Sequence, residues 1–125
     1  MSGALILIVE DNLKNLKLFR DVLQFNGYET IEADSAETGI ELAKERQPAL
    51  ILMDIQLPKM YGDEAMKVLK ADDTTRHIPI VAVTSFAMKG DRERLLSEGF
   101  NAYLAKPVNI KELPQVVEQQ LKEQS

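Results

Sequence analysis

Short apolar runs alternate along the chain with longer stretches in which apolar residues recur every three or four positions. The runs are Leu5–Val9, Tyr28–Ala33, Leu50–Met53, Ile80–Val83 and Ala102–Ala105. The first, third and fourth are apolar throughout, as parallel strands covered on both faces are. The second carries Glu29 and Glu32 and suits a sheet edge. Between the runs, Leu16, Phe19 and Leu23 predict a first helix stopped by Gly27, and Ala36, Ile40 and Ala43 a second, followed by Pro48. Asp34 and Glu37 have the spacing of a capping box for that second helix. Ala65, Val68 and Leu69 predict a third helix opened by Asp63, and Ala87–Glu98 a fourth closed by Gly99. Asn109 and Glu112 predict a fifth, in which Pro114 is awkward one turn in, so that helix starts irregularly or later.

Five strand–helix units in alternation predict an α/β fold, a doubly wound five-stranded parallel sheet with five helices on its two faces. Right-handed crossovers leave few strand orders, and 2-1-3-4-5 is a common one. With 125 residues, one domain spanning 1–125 is expected.

Composition narrows the chemistry. The chain has no cysteine and one histidine, His77, so thiolate sites and multi-histidine zinc sites are excluded. His77, ahead of Ile78-Pro79, reads as an exposed loop residue. A net charge of −5 and a pI near 4.9 argue against nucleic acid as a partner. No segment reaches the ~20 apolar residues of a membrane span, the run Ala4–Val9 being closed by Glu10. Met1-Ser2-Gly3 lacks the positive charge of a secretory signal, so a cytoplasmic location is expected.

In the predicted order, ligands bind beyond the carboxyl ends of the strands. Strand 1 runs into Glu10-Asp11, strand 3 into Asp54, strand 4 into Thr84-Ser85 and strand 5 into Lys106-Pro107. Taken singly, Asp11 or Asn12 suits a helix cap, Thr84 or Ser85 another, and Lys106 a solvated surface position. Asp54 resists such a reading: it follows a buried run, and Pro58 and Gly62 mark a loop rather than a helix start. Together these residues set three acids, two hydroxyls and an ammonium on one rim. Clustered carboxylates call for a cation, and Mg²⁺ favours oxygen ligands while keeping room for phosphate. A carboxylate beside a metal, a lysine and a hydroxyl can accept a phosphoryl group as an aspartyl phosphate.

Leu7-Ile8-Val9-Glu10-Asp11-Asn12, Leu52-Met53-Asp54-Ile55-Gln56-Leu57-Pro58, Gly62, Val83-Thr84-Ser85, Gly99 and Tyr103-Leu104-Ala105-Lys106-Pro107 resemble, in this order and spacing, the receiver domains of two-component response regulators. Met53–Pro58 and Phe86–Asp91 look most like the single-domain DivK type. The resemblance implies a flavodoxin-like receiver fold and a phosphorylation-controlled signalling role rather than an enzyme of metabolism. Asp54 would take a phosphoryl group from a sensor histidine kinase or a histidine phosphotransfer protein. Asp11, Asp54 and the carbonyl of Gln56 would hold Mg²⁺, with Glu10 acting through water. Thr84 and Lys106 would hold the phosphoryl oxygens, Ser85 would crowd that pocket or add a donor, and Tyr103 would swing inward as Thr84 moves. Lys106–Pro107 would be cis. A face of helix 4, strand 5 and helix 5, with Lys89, Arg92, Arg94 and Tyr103, would address a downstream protein target.

Glu10 stands where many relatives have Asp, and Ser85 where a smaller residue is usual. Gln56 and Phe86 occupy positions that tune acyl-phosphate hydrolysis in the family. The chain ends soon after helix 5, as a stand-alone regulator or an excised receiver would. Three other readings share parts of the pattern. A haloacid-dehalogenase-type phosphohydrolase would have a second Asp where Gln56 stands. A pseudo-receiver would lack Mg²⁺ binding. A flavodoxin-type carrier would need a Ser/Thr/Gly-rich loop where Glu10-Asp11-Asn12-Leu13 lies.

Overall fold

Each apolar run becomes a strand, and the strands pair in parallel. A computed structural model describes residues 3–85 and 89–123. The elements are β1 (Leu5–Val9), α1 (Leu13–Phe25), β2 (Glu29–Ala33), α2 (Ala36–Arg46), β3 (Leu50–Asp54), α3 (Gly62–Ala71), β4 (Ile80–Thr84), α4 (Lys89–Glu98), β5 (Ala102–Ala105) and α5 (Glu112–Glu123). The strand order is β2-β1-β3-β4-β5, as the alternation predicts. The expected opening of the fourth helix at Ala87, and the position of Phe86, lie outside the described residues.

Alternate side chains of each central strand serve opposite faces, the two-residue period of a strand. Leu7, Val9, Ile51, Met53, Ile80 and Ala82 pack on the side of α2, α3 and α4, against Ala36, Ala43, Met66, Leu69 and Leu95. Ile6, Ile8, Leu50, Leu52, Val81, Val83 and Leu104 pack on the other side, against Leu16, Phe19 and Leu23 of α1 and Leu113 and Val117 of α5. The three residues that predict α1 are therefore its buried stripe. β2 is one edge of the sheet, and its Glu32 reaches Arg20 of α1 at 3.2 Å.

The boundaries differ from expectation in ways that have causes. β2 begins at Glu29 rather than Tyr28, whose ring is buried under α1 and α5. Gly27 stops α1 at φ 91°, a conformation that favours glycine. Ser35, not Asp34, caps α2, its Oγ accepting from the Thr38 N–H at 3.2 Å. α3 opens at Gly62, one residue before Asp63, with Glu64 accepting from the Tyr61 N–H. Asn109 receives the N–H groups of Lys111 and Glu112, so α5 starts at Glu112. Pro114 then falls in the first turn, where its missing N–H has no helical partner to lose. β3 and β4 each run one residue further than the apolar pattern, through Asp54 and Thr84. No described helix is long and apolar enough to cross a membrane.

Candidate functional site

Strand register gathers the rim. Val9 pairs with Met53, Asp54 with Val83, and Thr84 with Ala105. Glu10, Asp54, Thr84 and Lys106 therefore end or follow adjacent strands at one level. Glu10, Asp54 and Thr84 are almost fully buried, whereas Asp11 is exposed at the mouth. Asn12 takes the cap of α1, its side chain accepting from the Asn15 N–H at 3.0 Å. That leaves the Asp11 carboxylate to the rim, where oxygens of Glu10, Asp11 and Asp54 all lie within 4.8 Å of one another.

The Asp54 carboxylate is held from two sides. The Gln56 N–H donates to Oδ1 at 2.9 Å, and Lys106 Nζ donates to Oδ2 at 3.0 Å. Lys106 Nζ also lies 3.3 Å from Glu10 Oε1, outside hydrogen-bonding alignment. Glu10 Oε2 accepts from the Asn12 N–H at 3.1 Å. Burial, then the neighbouring Asp54 carboxylate, push Glu10 up to about 7, against the opposing pull of Asn12 and Lys106. Burial lowers the Lys106 pKa, but Asp54 and Glu10 together raise it above the ordinary lysine value. A buried carboxylate oxygen without a hydrogen bond, in an oxygen-only set of three acids, fits a hard divalent cation such as Mg²⁺.

Backbone contacts fix the loops around Asp54. The Ile55 N–H bonds the Val83 carbonyl, and the Gly62 N–H bonds the Ile55 carbonyl, both at 3.0 Å. A Cβ on Gly62 would lie 2.2 Å from the Asp54 carbonyl oxygen, so only glycine lets α3 start this close to β3. The Lys106 N–H donates to the Thr84 carbonyl at 2.8 Å, and Lys106–Pro107 is cis, as the resemblance implies.

Ser85 follows β4 at the surface, its N–H donating to Gln56 Oε1 at 3.1 Å. Nothing in the order of residues announces that contact, because it joins positions 29 apart through a flexible side chain. Tyr103 is half-buried on β5 against the α2–α4 core, with the Arg92 guanidinium 5.6 Å from its ring centroid. Arg92, Leu96, Tyr103 and Gln119 help to line a cleft of about 460 Å³ between α4, β5 and α5. Arg94 turns instead to Glu98 and Asp91 of its own helix. His77 is exposed, away from the rim.

A family profile described as the response regulator receiver domain matches residues 6–118. The polar-differentiation response regulator DivK of Brucella anthropi is 53% identical over 105 residues, which is 84% of this chain and 85% of that protein. The DivK of Brucella ovis is equally similar over the same shares. Among solved structures, the receiver domain of the Pseudomonas aeruginosa sensor histidine kinase PA1611, with a magnesium ion coordinated in its active-site cleft, has a TM-score of 0.88 at 34% identity, covering 97% of this chain and 99% of that one. A CheY-like receiver domain protein from Methanospirillum hungatei has a TM-score of 0.87 at 33% identity, covering 98% and 97%.

Proposed function

Because the chain belongs to the response regulator receiver domain family, we propose that it is a phosphorylation-controlled signalling module whose phosphoacceptor is Asp54. The observation that carries this reading is the setting of one buried carboxylate. Asp54 lies between the Lys106 ammonium and the Gln56 N–H, inside a cluster of three acids. An ionised carboxylate needs no base to act as nucleophile. One Asp54 oxygen attacks phosphorus, the P–N bond of a phosphohistidine breaks, and the departing imidazole nitrogen keeps the electron pair. Lys106 balances the charge of the incoming oxygens, and Thr84 and Ser85 offer hydroxyl and N–H donors beside them.

Asp11, Asp54 and the Gln56 carbonyl would hold Mg²⁺, with Glu10 acting through water. Mg²⁺, when bound, neutralises the acids and the phosphoryl oxygens. The phosphodonor is a sensor histidine kinase or histidine phosphotransfer protein. The readout is Thr84 and Tyr103 rearranging toward the cleft between α4, β5 and α5, which then binds a downstream protein target. Such a switch works by favouring one of two conformations already available.

Acetyl phosphate supplies a small donor whose P–O bond breaks with loss of acetate. Intact mass after incubation should show one phosphoryl adduct that needs Mg²⁺ and is lost in Asp54→Asn. An adduct that survives Asp54→Asn would move the phosphoacceptor elsewhere. No adduct, together with no Mg²⁺ binding, would overturn the reading in favour of a binding-only receiver fold.

A further inference from the structure

Gln56 makes two contacts at once. Its backbone N–H donates to Asp54 Oδ1, and its side-chain Oε1 accepts from the Ser85 N–H at 3.1 Å. Ser85 is bonded in sequence to Thr84, whose carbonyl accepts from the Lys106 N–H. Lys106 Nζ returns to Asp54 Oδ2. These contacts close a ring that runs from one carboxylate oxygen of Asp54 to the other, through Gln56, the end of β4 and Lys106. Of its four hydrogen bonds, two end on the Asp54 carboxylate and one belongs to the β4–β5 backbone. The fourth, Gln56 to Ser85, joins two neutral groups of exposed residues. It is weaker than the two bonds to the ionised carboxylate, since charge-assisted hydrogen bonds are roughly twice as strong as neutral ones, and at 3.1 Å it is longer than the 2.8 Å backbone bond.

A phosphoryl group on Asp54 would enter the space this ring frames. It brings anionic oxygens next to an N–H that already has a partner. We propose that the Gln56 carboxamide is a positioning residue that occupies the Ser85 N–H until a phosphoryl oxygen on Asp54 displaces it. The inference rests on the reading of Asp54 as phosphoacceptor. Two consequences follow from the exchange. The carboxamide competes with the phosphoryl group for one donor and so weakens its retention. Its release then unties the loop after β3 from the end of β4, so the same event that fills the site frees the Gln56 side chain.

Gln56→Met keeps the length of the side chain and removes the accepting carbonyl. Gln56→Glu keeps an acceptor of the same reach and adds a charge. Beryllium fluoride with Mg²⁺, a non-covalent mimic of a phosphoryl group on a carboxylate, is the probe. Amide hydrogen exchange of Ser85, read by NMR beside the Asn101 amide as a folding control, is the second readout. In the absence of beryllium fluoride, Ser85 exchange should speed up in Gln56→Met and stay slow in Gln56→Glu. With one competing hydrogen bond removed, Gln56→Met should bind beryllium fluoride about threefold to tenfold more tightly, and Gln56→Glu more weakly than wild type. Ser85 exchange that Gln56→Met leaves unchanged, or unchanged affinity against a wild type that binds, would overturn this inference alone. A wild type that binds no beryllium fluoride would overturn the phosphoacceptor reading and this inference with it. If Gln56→Met does not fold, unaltered affinity in Gln56→Glu would overturn the inference by itself.

Discussion

Lys106 and Lys70 are the same residue type, both partly buried, at opposite rims of one sheet. Lys106 Nζ faces the carboxylates of Asp54 and Glu10, which hold its pKa above the ordinary value despite burial. Lys70, near the end of α3, donates to the carbonyl of Ile78 at 2.9 Å, to Asn101 Oδ1 at 3.2 Å and to the carbonyl of Arg76 at 3.3 Å. Burial with those neutral partners lowers its pKa. Asn101 Oδ1 also accepts from the Ile80 N–H at 2.9 Å, so Lys70 helps to tie α3 to the entries of β4 and β5. The contrast separates two uses of an ammonium. Carbonyl partners have fixed charge, so the Lys70 cluster has one composition and serves as a joint. Carboxylate partners can change charge by taking a proton, a metal or a phosphoryl group, so the Lys106 cluster can respond to a ligand.

Removing each lysine tests this division, and the largest effect belongs to the charged rim. Lys106→Met should slow Asp54 phosphorylation by acetyl phosphate by about 10²-fold, the cost typical of losing one charge-stabilising donor. Initial rates of adduct formation by mass would measure it, and a loss below threefold would place Lys106 outside the transfer. Lys70→Met leaves three accepting oxygens short of a donor. It should cost about 1–3 kcal/mol of stability, a drop of roughly 3–10 °C in Tm. Its phosphorylation rate should stay within about twofold of wild type, because Lys70 touches none of the rim groups. A Lys70 variant that melts normally but phosphorylates slowly would break the comparison.

The smallest effect concerns protons. Glu10 titrates at about 7 in the folded protein, against 4.5 ordinarily. Between those values the folded state keeps a proton that the unfolded chain has lost. The unfolded state therefore binds fewer protons, and metal-free stability falls as pH rises through the window. Mg²⁺ favours the ionised acid, so its affinity should strengthen across the same window, by at most about tenfold per pH unit. Denaturation midpoints and Mg²⁺ titrations between pH 5 and 8 would show both slopes, and Glu10→Gln should flatten them. The Lys70 cluster has no carboxylate and should contribute no such slope.

The strands were legible because burial on both faces demands continuous apolar residues, and the helices because one stripe must meet the sheet. The misplaced strand ends are instructive. Asp54 and Thr84 are polar, yet each keeps its ladder pairing, so β3 and β4 each extend by the residue proposed to carry function. Helix starts were harder to place, since Asp34 and Ser35 are both competent caps and only backbone geometry decides between them. The acids, the hydroxyls and Lys106 could be read from the rim rule alone. Gly62 stood out as a landmark, but its reason, the closeness of the Asp54 carbonyl, is a distance that no pattern encodes. The same is true of Lys70, whose partner Asn101 is 31 residues away, and of the Gln56 carboxamide.

Lys106 directly follows β5, which is the last of the described strands and an edge of the sheet. A nascent chain therefore exposes Glu10, Asp11 and Asp54 well before the ammonium that offsets them has been made. Until β5 docks on β4, the three acids of the rim lack the Lys106 ammonium, so docking of this edge strand completes the charge balance of the site.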